Sequence, residues 1–269
     1  MLKVFNTFGI DFGGSLPPSF RRSLPLATGS LLLLASLTGC GASAADATPE
    51  RRDFGPAGSR LTIAKDQGDL EIRPADVKNV QVTRRFDRWA LIGGKPSATW
   101  ELAGDRLTLS TDCGALIGGC AVRYQVLVPR SLTVGIEGQN GTISATGFGT
   151  ALRIRSTNGA IKVNGATGPL DLRSENGELR STATRSPQLS ATSQSGKVDL
   201  SFAAAPRQAT VTTENGEVKV TVPRATYKIS TTTDSGDVHA DVPKDASAPR
   251  SITVRTDSGA ITLNTAAGG

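Results

Sequence analysis

Carboxylates bracket three glycines in the second half of the chain: Glu175 and Glu178 around Gly177, Glu214 and Glu217 around Gly216, and Asp234 and Asp237 around Gly236, with Asp257 following. Aligned on neighbouring strands, such side chains have two chemical uses. Hard oxygen ligands between strands would hold Ca²⁺, and paired carboxylates at a fixed separation would cleave glycosides. The competing reading is a solvated edge whose charges discourage edge-to-edge pairing. Lys197 and Thr157 interrupt the acidic series, and the Gly-Gly-x-Gly-x-Asp spacing of calcium-binding β-rolls does not occur, which favours the edge. The single histidine, His239, has no triad partner that spacing identifies, and one histidine excludes a multi-His metal site. The "TDSG" serines lack a Gly-x-Ser-x-Gly elbow. The sequence therefore predicts no catalytic residue, no metal site and no cofactor.

The three cysteines carry more information. Cys40 ends the segment "RRSLPLATGSLLLLASLTGC" (residues 21–40), a basic start followed by an apolar run too short to be read as a spanning helix. Its last four residues, "LTGC", resemble the lipobox of bacterial lipoproteins, which implies cleavage before Cys40 and diacylglycerol transfer to its thiol. Residues 1–20 form an unusually long preamble, consistent with a start codon placed too early. Arg21 and Arg22 also admit a twin-arginine export reading. With Cys40 lipidated, Cys113 and Cys120 remain as an even pair in "CGALIGGC", and outside the cytosol such a pair oxidises to a disulfide. Two cysteines without a nearby Cys or His make no zinc site.

Removing residues 1–39 takes away Lys3, Arg21, Arg22 and Asp11, which leaves 27 basic and 23 acidic side chains. That mild positive charge is scattered and has no aromatic interleaving, so nucleic acid is excluded as a partner. The charge admits a weak attraction to anionic envelope polymers or lipid headgroups, and a solvated, mixed-charge surface explains it more simply. Aromatics make up 4% of the chain while glycine numbers 30, a composition suited to thin β layers with many turns rather than a thick core.

A repeat must position these residues. Gly141, Gly159, Gly177, Gly196, Gly216, Gly236 and Gly259 recur at spacings of 18, 18, 19, 20, 20 and 23 residues, each preceded by Asn or Ser. An aliphatic residue stands two places after each glycine, and Ser or Thr three places before the last six. The flanks alternate, as in Leu152, Ile154, Ile161 and Val163, which puts their side chains on one strand face. Asn-Gly and Ser-Gly tolerate φ > 0 and turn the chain sharply. Each turn closes either a hairpin or a solenoid corner, and the near-constant period favours the solenoid. Four further strands are expected in residues 76–128, with Phe86, Trp89, Trp100 and Tyr124 serving either as a sugar platform or as a cap on the end of the stack.

The serial -x-[NS]-G-x-[ILV]- units behind a signal sequence, the Y-x-V-x-V-P segment at residues 124–129, and Val-Pro again at 222–223 and 242–243 resemble the bacterial putative-adhesin family, a domain of unknown function common in envelope proteins. The resemblance covers about residues 57–269. It implies an all-β, solenoid-like fold and an envelope location, and it supplies no catalytic residue.

The expected organisation is a signal peptide with lipobox at 1–39, a lipidated tether at 40–56 and a single all-β repeat domain at 57–269. The expected function is a lipid-anchored, non-catalytic binding or scaffold module on the outer face of the bacterial cell membrane, meeting a cell-wall polymer or an envelope protein. An envelope-stress accessory lipoprotein and a β-helical carbohydrate-active enzyme are the alternatives. The ligand surface is expected to be a flat face of the solenoid, displaying Arg153, Arg155, Lys162, Arg173, Arg180, Lys219 and Lys228 at strand spacing.

Overall fold

A computed structural model describes residues 42–55 and 58–266. The expected signal peptide and the lipidation site Cys40 lie outside the described residues. The chain begins with β1 (Pro49–Phe54), β2 (Arg60–Lys65), β3 (Asp69–Ala75), β4 (Val80–Gly93), β5 (Ser97–Ala103), β6 (Arg106–Asp112) and β7 (Ala115–Pro129). Seven motif rungs follow, each a pair of short strands: β8 (Thr133–Asn140) with β9 (Ile143–Thr146), β10 (Leu152–Asn158) with β11 (Ile161–Asn164), β12 (Leu170–Asn176) with β13 (Leu179–Thr184), and β14 (Gln188–Ser195) with β15 (Val198–Phe202). The last three are β16 (Gln208–Asn215) with β17 (Val218–Val222), β18 (Lys228–Ser235) with β19 (Val238–Asp241), and β20 (Ser251–Ser258) with β21 (Ile261–Thr265).

The two strands of a rung enter different sheets, which selects the solenoid over the hairpin. Sheet I runs β1-β4-β7-β3-β9-β11-β13-β15-β17-β21-β19, and sheet II runs β18-β20-β16-β14-β12-β10-β8-β2-β6-β5. Rungs pair in parallel with identical positions in register: Leu152 faces Val134 and Leu170, and Asn158 faces Asn140 and Asn176. Alternation then gives each strand one inward side, and the ladders Leu61, Ile63, Val134, Ile136, Leu152, Ile154, Leu170 and Leu172 are all buried between the sheets.

Rung order departs from chain order at both ends. The rung of residues 60–75 lies between β6/β7 and β8/β9, and the last rung, β20/β21, is inserted between β16/β17 and β18/β19. Composition explains the second exchange. Residues 251–265 carry Ile252, Val254, Ile261 and Leu263, all fully buried, whereas residues 228–241 offer a half-buried Ile229 and a Val238 that is 44% exposed. The less apolar rung takes the open end, where burial would reward it least.

The repeat length varies for a structural reason. The motif corner is constant, and extra residues sit elsewhere. Ala183, with φ 51°, bulges β13 and lengthens the third interval to 19, and residues 242–250 lengthen the last.

The corner glycines correct one expectation. Gly141, Gly196, Gly236 and Gly259 have φ of 96°, 141°, 144° and 147°, but Gly159, Gly177 and Gly216 do not occupy the left-handed region. What they share is proximity. A Cβ at Gly177 would lie 2.4 Å from the Gly159 carbonyl oxygen, and one at Gly216 would lie 2.1 Å from that of Gly196. Each corner rests on the backbone of the next, and its amide continues the ladder: Gly159 N–H donates to Asn176 O at 3.1 Å and Gly177 N–H to Ser195 O at 3.0 Å. Side chains follow suit, Asn176 Nδ2 donating to Asn158 Oδ1 at 3.2 Å.

The tether expectation is also corrected. Residues 49–54 form β1, paired antiparallel with β4 from Pro49↔Arg85 to Phe54↔Val80. No alternation marks "PERRDF"; the strand is held by edge pairing, by buried Phe54 and by Arg84. The Arg84 guanidinium pairs with Glu50, donates to Ala98 O on β5 and lies 4.3 Å from the Trp100 ring centroid. Trp100 meets Phe54 edge to face at 6.4 Å, and Tyr124 is fully buried, so these aromatics close the stack end as the capping reading expected. Trp89 does not; it stands out on an extension of β4 and β7, where Cys113 and Cys120 form a disulfide.

Candidate functional site

Sheet II presents its outer face as a broad trough. Its outward positions are set by the strand period, and the register aligns them in rows across rungs. One row runs Thr62, Gly135, Arg153, Asp171, Ser190, Thr210, Thr253 and Ser230. The adjacent row runs Ala64, Glu137, Arg155, Arg173, Thr192, Thr212, Arg255 and Thr232. Gly135 removes a side chain between Thr62 and Arg153 in the first row; a Cβ there would meet only Thr62 Oγ1, at 3.9 Å. The hollow has a volume of about 720 Å³ and crosses six strands, from Arg60 on β2 to Thr210 on β16, with a second hollow of about 650 Å³ beside it.

Five arginines line the two hollows: Arg60, Arg106, Arg153, Arg155 and Arg173. Three are paired: Arg106 with Glu137 at 2.9 Å and Arg153 with Asp171 at 2.8 Å across rungs, and Arg173 with the same Asp171 at 3.3 Å along β12. Among the described residues, Arg60 and Arg155 form no ion pair. These exposed pairs contribute little stability.

The expected outward cations divide between the sheets. Arg153, Arg155 and Arg173 share the trough, Lys228 lies on the far end strand of sheet II, and Lys162, Arg180 and Lys219 belong to sheet I. Sequence periodicity did not single out Arg60, Arg106, Glu137, Asp171 or Gly135. The signal was present at Gly135, a glycine at an outward position of the first motif rung.

The carboxylates bracketing the corner glycines do not converge. Glu175, Glu214, Asp257 and Asp234 stand on the sheet II side, and Glu178, Glu217 and Asp237 on the sheet I side. Several are engaged by cations: Glu178 by Arg180 at 2.7 Å, Glu217 by Lys197 at 3.0 Å, and Asp257 and Asp234 by Arg255 at 3.3 and 3.8 Å. Among the described residues no three His, Cys, Asp or Glu side chains gather as metal ligands. His239 lies exposed on the end strand β19.

One unforeseen group sits under the trough. Lys65 takes the place that Ser or Thr holds in the later rungs, three residues before the corner glycine, and is 3% exposed. Gly138 on the neighbouring strand makes room for its stem. Its ammonium donates to Gly68 O at 2.7 Å and Asn140 O at 2.6 Å, as Ser156 donates to Gly159 O at 3.2 Å. Burial lowers its pKa from 10.5 to about 8, against the opposing pull of Asp69 and Asp66.

No curated protein sequence matches the chain. The fold is similar to that of a "putative cell adhesion protein" from Clostridium sporogenes, at 16% identity and TM-score 0.35 over 81% of this chain and 99% of that one. It is also similar to a "putative adhesin" from Bacteroides fragilis, at 12% identity and TM-score 0.44 over 80% of this chain and 97% of that one. The sequence profile of the Toastrack DUF4097 family matches residues 130–264, the span that holds the seven motif rungs and half of the chain, and the protein belongs to that family.

Proposed function

We propose that the protein is an exported lipoprotein, acylated at Cys40, that serves as a non-catalytic binding module of the cell envelope and takes a linear anionic cell-wall polymer along the sheet II trough. The observation that carries this reading is the set of five arginines lining the two hollows, with Arg60 and Arg155 unpaired among the described residues. Rungs stand about 4.8 Å apart, so an extended polymer lying along the stack passes the arginines of β6, β2, β10 and β12 in turn. Shallow, wide and charged, the trough suits a long chain better than a small substrate, and such a surface acts through electrostatic complementarity.

Two experiments test it. The chain should bind isolated cell wall in a pull-down, with binding falling steeply as salt rises. Arg60→Gln with Arg155→Gln should reduce retention about tenfold at low salt, the loss of about 1.4 kcal/mol. Binding that ignores salt and both substitutions would overturn the electrostatic reading and leave a protein partner in its place. Cys40→Ser should release the protein from the membrane fraction of cells; unchanged membrane association would remove the lipoprotein assignment.

A further inference from the structure

Five of the six large apolar side chains that are exposed among the described residues stand on one projection. Past the last β1 partner of β4, Arg85, and past the last β3 partner of β7, Arg123, these two strands continue as a two-stranded finger that ends at Gly93↔Ala115. Eight residues separate Arg85 from Gly93, about 26 Å at 3.3 Å per residue. The same pentapeptide, Ala-Leu-Ile-Gly-Gly, occurs on both arms, at residues 90–94 and 115–119. Leu91 is 78% and Leu116 80% exposed, with Ile92, Ile117 and Trp89 beside them. A soluble surface scatters such residues; a concentrated patch marks a contact. The Cys113–Cys120 disulfide spans the arm that carries Leu116 and Ile117 and limits its motion.

The finger stands beside the start of the described chain. Ser43 N–H donates to Asp87 Oδ2 at 2.7 Å, on the finger's stem. Cys40 is three residues upstream, a reach of about 10 Å. Arg85 and Arg88 lie on the stem and Lys95 just past the tip, alongside the acids Asp87 and Asp112. A tryptophan, branched aliphatics and nearby cations form the composition that settles at a bilayer interface with anionic headgroups.

We infer that this finger inserts its tip into the interfacial layer of an anionic lipid bilayer and forms a second membrane attachment beside residue 40. Only the identity of the bilayer rests on the export reading, and the contact itself requires no acyl chain. A lipid on Cys40 would hold the chain at one point, and an apolar finger in the same bilayer adds a second. It also sets the orientation of the stack.

The buried core extends from Phe54 to Leu263, so the chain from residue 40 onward carries all of it. That chain with Cys40→Ser, mixed with vesicles of phosphatidylglycerol and phosphatidylethanolamine, should co-float with them and shift its tryptophan emission to the blue. Leu91→Ser with Leu116→Ser should lower the vesicle-bound fraction at least tenfold without changing the melting temperature, since both side chains are exposed. Equal flotation of the two proteins would overturn the inference. So would a parent that ignores vesicles yet self-associates through the finger, with the double variant monomeric, because a second copy would then be the occupant. Neither result bears on Cys40 acylation, which the cell fractionation reads separately.

Discussion

Gly177→Val should destabilise the fold by about 3 kcal/mol, a cost of overpacking against atoms that cannot give way. The new Cβ would stand 2.4 Å from the Gly159 carbonyl oxygen and 2.7 Å from its carbon, both backbone atoms of a rung held from its other side by Gly141. Relief requires the two corners to part, which stretches the 3.1 Å bond from Gly159 N–H to Asn176 O that joins them. Backbone strain at a left-handed φ contributes nothing here, because Gly177 does not have one. The neighbouring change Glu178→Gln loses an exposed ion pair to Arg180 and should shift stability by no more than about 0.5 kcal/mol. Urea unfolding midpoints of the two variants decide the matter; equal shifts would remove the stacked-corner account.

Stability should rise between pH 8 and 10, by about 2 kcal/mol, through Lys65. Its folded pKa, about 8, lies below the 10.5 of the unfolded chain. Below pH 8 both states carry the charge, and the native state bears the desolvation cost. Between the two values the native ammonium has lost its proton while the unfolded one keeps it, so the unfolded state binds more protons and stability increases with pH. The buried phenols of Tyr124 and Tyr227, raised by burial above their usual value of 10, act in the opposite sense, and their effect sets in as the unfolded phenols ionise near pH 10, at the upper edge of this window. Lys65→Met should flatten the rise in urea titrations at pH 7, 8, 9 and 10. The same slope in both proteins would show that Lys65 is not its source.

Local pattern made most of the fold legible. Alternating aliphatics and a steady period fixed strands, faces and the parallel stack, because in a solenoid each rung contacts only its neighbours and repeats the same solution. What escaped notice depended on contacts between distant segments. β1 has no alternation of its own and exists through its pairing with β4 and the grip of Arg84. The seat of the last rung depends on a comparison between two nearly equivalent segments, which no single window contains. The trough was half legible: the arginines at alternate positions announced an outward charge, whereas the hollow depends on Gly135 lying in register with Arg153 and Thr62. Lys65 was hidden because a lysine in an alternating strand counts as outward, and only the absence of a side chain at Gly138 admits it to the interior.

The exchanged seats of the last two rungs have a kinetic consequence. A chain emerging from its N-terminus completes residues 208–222 and next offers residues 228–241, which carry the same Ser-Gly corner and fit the same open strand edge. In the finished molecule that edge belongs to residues 251–265, whose Val254, Ile261 and Leu263 fill the interior better. The earlier segment therefore either waits undocked or takes the seat and must be displaced, a competition resolved only after the final residues arrive. Where the earlier segment takes the seat first, assembly includes an exchange of strands at one end, opposed by the contacts that Ile229, Val238 and their neighbours make in the place they must vacate.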